Sequence, residues 1–532
     1  MVENQITSIK NEKTAILVYL SNAVIDVWKK AFEKYNTDIK ADKLIENFIN
    51  TLLKNNNLLF FAAEDSEFIR TYFNLKNTQN IKQVEFKHEL YVIKNIYKNY
   101  SNINYIVFFD SIFPIWDKSA AEQLFSIHCK YEADYTFCEN IPPGISPVFF
   151  SKSIFTPLSL EFDETGNEDK IPDELSMPLK TFVEKNINKF HAEIDFIAPD
   201  LRMLRLDFSC KNIRSIMKTS RFFHIVKEKE NIYSEIEEII KNDPKILFSF
   251  PSYLEIEINS DCEYKCDFCP RQFTILEKNQ MSFDVLNKII NYLNDSIGDT
   301  SISLAGMGEP LEHPKVEEFI TKLLETEKLK HLIIESNGLY LSRLLNCIEH
   351  TNFNKIKIII NINSLKNYDK LHGTSKENKN KVIENIKNLG KKMKELGYDA
   401  KEKIYIQTLK IVENEDEIDE IFNLCEELNV SFLFQKYNKY ISLMKERRVS
   451  DMTPLERTFC WHLRRDMFIR ADGSVSFCKQ DIENKNCIGN IEHETLAQVR
   501  EKQIPFWEKN LANIYPNSPD CLKCDEYFTF NL

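Results

Sequence analysis

The sequence predicts an α/β protein whose second half is a partial (β/α)6 barrel. Short apolar runs alternate with amphipathic, helix-like stretches along the 532 residues. In the second half this alternation gives six β/α units in order, and eight of the thirteen cysteines lie there at short or structured spacings. A chain of this length is expected to fold as two or three domains.

Residues 1–226 are predicted to form an α/β domain. Its predicted strands are 14–20, 58–63 and 104–109, and amphipathic helices are predicted between them at 40–54 and 87–99. Only Gly144 and Gly166 precede residue 250. Loops that bind phosphate need glycine, so no working phosphate loop is expected here. The acidic segment 159–186 is predicted to be a loop.

The rest of the chain is predicted to divide into a linker helix (227–250), the barrel (251–445) and a final domain (446–532). The linker is charged and amphipathic and ends at Asp243-Pro244. The predicted barrel strands are 254–259, 301–306, 331–338, 355–362, 403–410 and 431–438. Helical stretches fill the gaps at 282–295, 315–327, 376–396 and 414–428. Ligands of such a barrel bind at the carboxyl ends of its strands.

Composition excludes several functional classes. Apolar residues make up 43% and charged residues 28%, as in ordinary globular proteins. A net charge of −12 disfavours binding to a phosphate backbone, so nucleic acid is not an expected partner. No apolar run reaches the roughly 18 residues that cross a bilayer, and the N-terminus lacks a secretion signal. We therefore expect no membrane association and a cytoplasmic location, where cysteines serve as metal ligands rather than as disulfides.

Three cysteines follow the first barrel strand at the spacing C-x3-C-x2-C: Cys262, Cys266 and Cys269. Three thiolates can bind three corners of a [4Fe-4S] cube and leave the fourth iron open. The open iron can chelate the amino and carboxylate groups of S-adenosylmethionine (SAM). A structural zinc site is the alternative, but no fourth Cys or His follows at short range.

This motif resembles that of the radical SAM superfamily, and the resemblance spans about residues 250–440. It implies a partial barrel and reductive cleavage of SAM to a 5′-deoxyadenosyl radical. Each further match falls at the carboxyl end of a predicted strand. The residues that the resemblance implies for SAM binding are Phe268, Gly306, Met307, Gly308, Glu309, Pro310, Ser336, Asn337, Asn361, Asn363 and Gln435.

A second cysteine set follows the barrel, with Cys460 and Cys478 flanking a predicted hairpin and Cys521 and Cys524 near the end. The hairpin turn is predicted at Asp472-Gly473. The pattern resembles the SPASM domain, which implies an auxiliary [4Fe-4S] cluster. The chain ends eight residues after Cys524, so one auxiliary cluster with four ligands is predicted. Four thiolates can also hold structural zinc, and that alternative stays open.

Three further residues near this set are candidates for chemistry. Cys487 is a spare thiol in a predicted polar loop, and His462 is either a ligand or a packed side chain. Asp481 is the candidate catalytic residue, because some SPASM enzymes have an acidic general base in this neighbourhood. A surface aspartate of a loop explains Asp481 equally well.

The N-terminal domain resembles the nucleotidyltransferase fold of the cytidylyltransferase type. The matching segments are Tyr105–Asp117, Ala133–Pro147 and Leu204–Asp207, the last as a later strand with its aspartate. The glycine- and arginine-rich loop of that family is replaced by Ser21–Asp26, which implies a degenerate domain used for binding or docking. This order of domains is most similar to the spiro-SPASM group.

The resemblances imply radical modification of a peptide, protein or other large substrate, with a reducing electron donor such as flavodoxin or ferredoxin. Two alternatives remain. One is radical modification of a sugar or nucleotide-linked metabolite, and the other is a non-catalytic, metal-stabilised interaction protein. Cleavage of SAM separates the last from the two enzymes.

Overall fold

A computed structural model describes residues 8–54, 57–73, 80–156, 177–227, 229, 231–274, 277–349, 352–515 and 519–529. The chain divides into two compact units, Met1–Ile246 and Leu247–Leu532. Both are α/β, as predicted. Within the described ranges, no helix is long and apolar enough to cross a membrane.

The first unit is built on a seven-stranded sheet in the order β3-β2-β1-β4-β6-β5-β7. Its strands are β1 (Thr14–Leu20), β2 (Leu58–Ala63), β3 (Ile81–Val84), β4 (Tyr105–Phe109), β5 (Tyr135–Cys138), β6 (Val148–Ser151) and β7 (Ala192–Asp195). β1 pairs in parallel with β2 and β4, whereas β6 is antiparallel to both of its neighbours. The strand order therefore reverses between β1 and β4, where open α/β sheets bind ligands.

Helices connect these strands and bury their apolar sides against the sheet. They are α1 (Asn22–Ile39), α2 (Ala41–Leu53), α3 (Ser66–Tyr72), α4 (Glu89–Asn99), α5 (Lys118–Lys130), α6 (Leu179–Lys185), α7 (Ile213–Val226) and α8 (Ile232–Asn242). Polar side chains cap some of these helices: Asp117 accepts the amide N–H of Ala120 at the start of α5, and Asn212 forms a capping box with Ser215 at the start of α7.

Two expectations for this unit need correction. The strand predicted at Leu204–Asp207 is wrong, because a 3-10 helix covers Arg202–Leu204 and Arg205 adopts a left-handed φ of 45°. A left-handed residue cannot continue an extended strand. Residues 159–176 of the predicted acidic loop lie outside the described residues, and the end of that segment is helix α6 rather than loop.

The second unit contains a nine-stranded sheet in the order β13-β12-β11-β10-β9-β8-β14-β15-β16. Its strands are β8 (Tyr253–Ile256), β9 (Thr300–Leu304), β10 (Leu329–Ser336), β11 (Ile356–Asn361), β12 (Ile404–Lys410), β13 (Ser431–Lys436), β14 (Asp466–Ile469), β15 (Ser474–Ser476) and β16 (Cys487–Asn490). β8 to β13 are all parallel neighbours, as predicted for the barrel.

Helices of the second unit follow its strands, and several of them pack against the outer face of this sheet. They are α9 (Phe283–Asp295), α10 (Val316–Leu324), α11 (Tyr368–Leu371), α12 (Lys376–Glu395), α13 (Ala400–Lys403), α14 (Ile418–Leu428), α15 (Trp461–Arg465), α16 (Leu496–Leu511) and α17 (Pro519–Lys523). Alternate strand residues such as Leu254, Ile302 and Ile358 are fully buried on that face. The opposite face is left to line the barrel interior.

The predicted hairpin after the barrel is present, and its turn contains Gly473 with a φ of 78°. Its first strand, β14, also pairs in parallel with β8, so the C-terminal segment extends the barrel sheet. Cys487, predicted to lie in a polar loop, instead begins β16, which is antiparallel to β15. The prediction was wrong because the alternation of this short strand is hidden among polar residues.

Candidate active site

The first cysteine set lies in the loop after β8, at the carboxyl ends of the barrel strands. Burial raises the pKa of all three thiols, to about 12 for Cys262. Cys269 and Cys262 lie near enough to Cys266 to raise its pKa further. The loop therefore gathers three thiols in a site of low polarity, and a metal bound by them would have to displace their protons.

A charged clamp fixes this loop at its start. Arg271 donates to the carbonyl oxygen of Cys262 at 2.7 Å and to the carboxylate of Asp261 at 2.6 Å. Lys278 forms an ion pair with the other oxygen of Asp261 at 2.6 Å, and with Arg271 it lowers the pKa of Asp261 to about 2. The clamp therefore fixes the backbone of the loop at Asp261 and Cys262.

The segment after β9 packs directly on this loop. A Cβ atom at Gly308 would lie 2.1 Å from the carbonyl oxygen of Asn259, and Gly306 has a φ of 121°. The Met307 amide donates to the buried carboxylate of Glu257 at 2.7 Å. Glycine is therefore required at 308 because the backbone there passes very close to the backbone at Asn259. The sequence alone did not reveal this reason.

Glu309 ties this segment to the end of β10. It is 3% exposed and accepts hydrogen bonds from Ser336 Oγ at 2.8 Å and from the amide N–H of Asn337 at 2.7 Å. Burial raises its pKa to about 7. The 3-10 helix Pro310–Glu312 follows, and its Leu311 amide also donates to Glu309. The structure thus brings Glu309, Ser336 and Asn337 together beside the thiol loop.

The other residues predicted to bind SAM are spread around the same end of the barrel. Phe268 lies edge-on to the ring of His372 at 5.1 Å, and Asn361 accepts a hydrogen bond from Gln407 at 2.7 Å. Asn363 is fully buried, and its Oδ1 accepts the Leu409 amide. Gln435 is exposed on β13, at the edge of the sheet. Asn363 is therefore enclosed by the protein, whereas Gln435 is open to solvent.

The inner face of the barrel has an apolar layer followed by a polar layer. Tyr253, Ile333 and Ile359 form the apolar cluster together with Tyr405 and Leu433. Side chains two positions further along each strand share that face. They are Glu255, Glu335, Asn361, Gln407 and Gln435.

Charged groups concentrate at this polar layer. Burial and the neighbouring Glu255 raise the pKa of Glu335 to about 7. Lys479 Nζ lies 3.6 Å from a carboxylate oxygen of Glu255. Burial, Cys269 and Glu255 raise the pKa of Tyr440, so Tyr440 lies near both the thiol loop and the polar layer. The inner face of the barrel is therefore polar and charged at this layer.

The second cysteine set lines a cleft of about 410 Å³. Cys460, Cys478, Cys521 and Cys524 all face it. Burial, and after it the thiols of Cys460, Cys524 and Cys521, raise the pKa of Cys478. Cys487 is exposed, and its thiol donates to the carbonyl oxygen of Gly489 at 3.3 Å. The fold thus gathers four thiols from separate elements and leaves the fifth outside the cleft.

Polar residues beside this cleft differ in what they contact. Asp481 lines it, but its oxygens accept the amide N–H of Lys485 at 3.0 Å and of Asn486 at 2.7 Å. His462 bridges Asp466 and the carbonyl oxygen of Glu526 through its two ring nitrogens, which is the packed arrangement. Gln480 also lines the cleft, is 7% exposed, and has no partner for its side-chain amide among the described residues.

The arrangement of both thiol sets fits iron–sulfur clusters. Across the described ranges, no three Cys, His, Asp or Glu side chains converge as ligands of a single metal ion. Thiolates are the usual protein ligands of such clusters, so both sets have the donor chemistry that the group needs.

Sequence reasoning missed Glu255, Glu335, Lys479 and His372. Two of them carried a detectable pattern, because a glutamate inside an apolar strand run is unusual and both Glu255 and Glu335 occupy such places. Lys479 and His372 had no such pattern in the sequence, because the residues that surround them are far away along the chain.

Comparison with known families agrees with this geometry. Residues 256–425 match the radical SAM superfamily, and residues 460–525 match SPASM, an iron–sulfur cluster-binding domain. The chain therefore contains a radical SAM domain followed by a SPASM domain. It is a radical SAM enzyme. Its cofactors are a SAM-binding [4Fe-4S] cluster, SAM and auxiliary iron–sulfur clusters.

Individual relatives are distant. An uncharacterized protein of Treponema pallidum (strain Nichols) is 24% identical over 361 residues, which cover 66% of this chain and 97% of that protein. GTP 3′,8-cyclase of Aquifex aeolicus is 24% identical over 196 residues, 35% of this chain and 56% of that enzyme. The crystal structure of Streptococcus suis SuiB bound to precursor peptide SuiA has 15% identity and a TM-score of 0.40, covering 71% of this chain and 84% of SuiB.

Proposed function

We propose that Cys262, Cys266 and Cys269 hold the SAM-binding cluster and that the enzyme modifies a peptide, protein or other large substrate. When bound, the cluster and SAM supply a 5′-deoxyadenosyl radical. The observation that carries the proposal is the position of the three thiols, in one clamped loop at the carboxyl ends of β8 to β13. The test is anaerobic reconstitution with dithionite and SAM, followed by measurement of 5′-deoxyadenosine.

The chain's own residues are proposed to position SAM. Phe268 lies in the thiol loop between Cys266 and Cys269. The segment from Gly306 to Pro310 is fixed by Glu257, which accepts the Met307 amide, and by Glu309, which accepts the Leu311 amide. Ser336, Asn337, Asn361, Asn363 and Gln435 remain the proposed polar contacts. Cys460, Cys478, Cys521 and Cys524 are the proposed ligands of one auxiliary cluster.

A large substrate is supported by the shape of the sheet. β13 is its terminal strand, and Gln435, which lies on the inner face of this strand, is exposed, so the polar inner face is open at that side. An open side admits an extended chain that a closed barrel would exclude. We expect the macromolecular fraction of a cell extract, rather than its small-molecule filtrate, to stimulate SAM cleavage in the presence of a reductant such as flavodoxin or ferredoxin.

A second candidate substrate is a sugar or nucleotide-linked metabolite. It is favoured by the similarity to GTP 3′,8-cyclases, at 24% identity for the Aquifex aeolicus enzyme. Stimulation by the filtrate alone, with consumption of a nucleotide, would support this candidate and contradict a large substrate.

The N-terminal segment, 1–226, is proposed to be a degenerate nucleotidyltransferase-like domain, followed by the linker 227–250, the barrel 251–445 and the SPASM domain 446–532. The reversal of strand order between β1 and β4 supports this reading. The spiro-SPASM group remains the proposed subgroup. At the start of α1, the Asn22 amide donates to the Glu64 carboxylate at 2.8 Å. A carboxylate of the chain itself therefore takes the position that would attract a phosphate.

We expect the full-length protein to show no nucleotidyl transfer. The helix N-terminus after β1 is already neutralised by Glu64, and Lys211 is paired with Asp110 at 2.5 Å. The measurement is release of pyrophosphate from nucleoside triphosphates in the presence of a sugar acid. Steady turnover would contradict a degenerate domain.

Asp481 is proposed as the residue that accepts the substrate proton. We expect Asp481→Asn to lower substrate modification by about 100-fold, the lower end of the usual contribution of a general base. Its iron content and substrate-free SAM cleavage should be unchanged. The matched control is Asp472→Asn, whose carboxylate accepts the Ser474 amide in the hairpin turn. Loss of auxiliary iron in Asp481→Asn would instead assign Asp481 to the Lys485–Asn486 loop.

A further inference from the structure

His372 is a buried histidine that the proposed reaction does not use. It follows α11 directly and is 1% exposed. Its ring stacks on Tyr368 with 4.2 Å between centroids, and Phe268 lies edge-on to it. The ring is therefore held in one orientation by aromatic neighbours.

The backbone around His372 is joined to the thiol loop. The Asp267 amide donates to the carbonyl oxygen of Leu371 at 2.8 Å. A Cβ atom at Gly373 would lie 2.2 Å from the carbonyl oxygen of Lys265, so only glycine permits this approach. His372 is thus placed against Cys266 although 106 residues separate them.

One hydrogen bond decides which ring nitrogen carries the proton. The amide N–H of Asn363 donates to His372 Nε2 at 3.1 Å, so Nε2 is an acceptor and carries no proton. The single proton of the neutral ring is therefore on Nδ1. Nδ1 lies 3.9 Å from Cys266 Sγ, within the range of a hydrogen bond to sulfur. Once Cys266 is a thiolate, it has no proton to donate to the nearby carbonyl oxygen of His372. The Nδ1–H of His372 is then the donor that faces the negative charge of the Cys266 sulfur.

Cys262 has a donor that is oriented in the same way. Asn337 Oδ1 accepts the amide N–H of Leu339 at 2.9 Å, which fixes the orientation of the side-chain amide. Asn337 Nδ2 is consequently directed at Cys262 Sγ, at 3.9 Å. In both pairs a backbone N–H occupies the acceptor atom and leaves the donor atom to the sulfur.

We propose that His372 and Asn337 are positioning residues that donate N–H···S hydrogen bonds to the thiolates of Cys266 and Cys262 and so raise the reduction potential of the bound cluster. Such bonds withdraw negative charge from the sulfur and stabilise the reduced, more negative cluster. The inference rests on the proposed cluster site.

Matched substitutions separate donation from packing. His372→Gln keeps an acceptor for the Asn363 amide but removes the donor to Cys266. His372→Asn keeps a donor near the position of Nδ1. Asn337→Asp keeps the acceptor for the Leu339 amide and removes the donor to Cys262. The control is His313→Gln, a buried histidine whose Nδ1 accepts the Lys315 amide away from the thiols.

The readout is a redox titration followed by electron paramagnetic resonance, using the cluster signal that changes when SAM is added. We expect His372→Gln and Asn337→Asp each to lower the ratio of reduced to oxidised cluster at a fixed potential by about tenfold, or about 59 mV for one electron. His372→Asn and His313→Gln should match the parent protein.

Two results would overturn the inference: an unchanged ratio in both donor-free variants with full iron content, or equal shifts in His372→Gln and His372→Asn. If His372→Gln loses its iron, the ratio of reduced to oxidised cluster in Asn337→Asp decides whether the inference holds. Failure of the proposed function is distinguishable, because the parent protein would then bind no SAM-responsive cluster at all.

Discussion

Alanine at Cys262, Cys266 or Cys269 is expected to abolish formation of 5′-deoxyadenosine. Two thiolates cannot keep an iron–sulfur cube in the loop, and without the open iron SAM has no binding partner for its amino and carboxylate groups. Iron should fall from about eight to about four per chain in the triple variant, because the auxiliary site is separate. The measurements are iron content and 5′-deoxyadenosine after anaerobic reduction.

The matched control is Cys425→Ala, a buried cysteine on the outer helix α14. It should keep both the iron and the cleavage activity. Undiminished cleavage in any of the three loop variants would contradict the ligand assignment. Clamp variants such as Asp261→Asn should have smaller effects, since they loosen the loop without removing a ligand.

Serine at Cys521 or Cys524 is expected to remove the auxiliary cluster and to loosen the C-terminal segment. Iron should fall by about four per chain, and proteolysis after residue 510 should become faster, because metal binding is coupled to folding where the ligands tie distant segments together. The cleft that these thiols line also contains Cys460 on the start of α15 and Cys478 after β15. Loss of the cluster therefore affects all three segments.

Cys487→Ser is the matched control, since Cys487 is exposed and bonded to its own strand. It should keep the full iron content and the parent's resistance to protease. A Cys487→Ser protein that loses iron as Cys521→Ser does would place Cys487 in the ligand set. Recovery of zinc at this site from anaerobically purified protein would contradict an auxiliary cluster.

Residues of the polar layer lie beside both thiol sets. Lys479 follows Cys478 directly and lies beside Glu255, while Tyr440 lies near both Cys269 and Glu335. A second cavity of about 310 Å³ is lined by Glu255, Asp466 and Lys479 among others.

The sequence by itself determined the features that depend on neighbouring residues. The thiol loop is local, because Cys262, Cys266 and Cys269 lie within eight consecutive residues. Their spacing alone therefore predicted a three-thiol site. The strands β1, β2 and β8 to β13 followed from apolar runs, and the hairpin followed from Asp472-Gly473, since backbone preferences act over a few residues.

Only the tertiary structure decided which distant groups meet. The pairing of β14 with β8, the carboxylate of Glu64 at the start of α1, and the ring of His372 beside Cys266 join residues that are far apart in sequence. Local periodicity carries no information on such partners. They are selected by burial of whole faces and by satisfaction of every buried donor and acceptor, which exist only once the chain has packed.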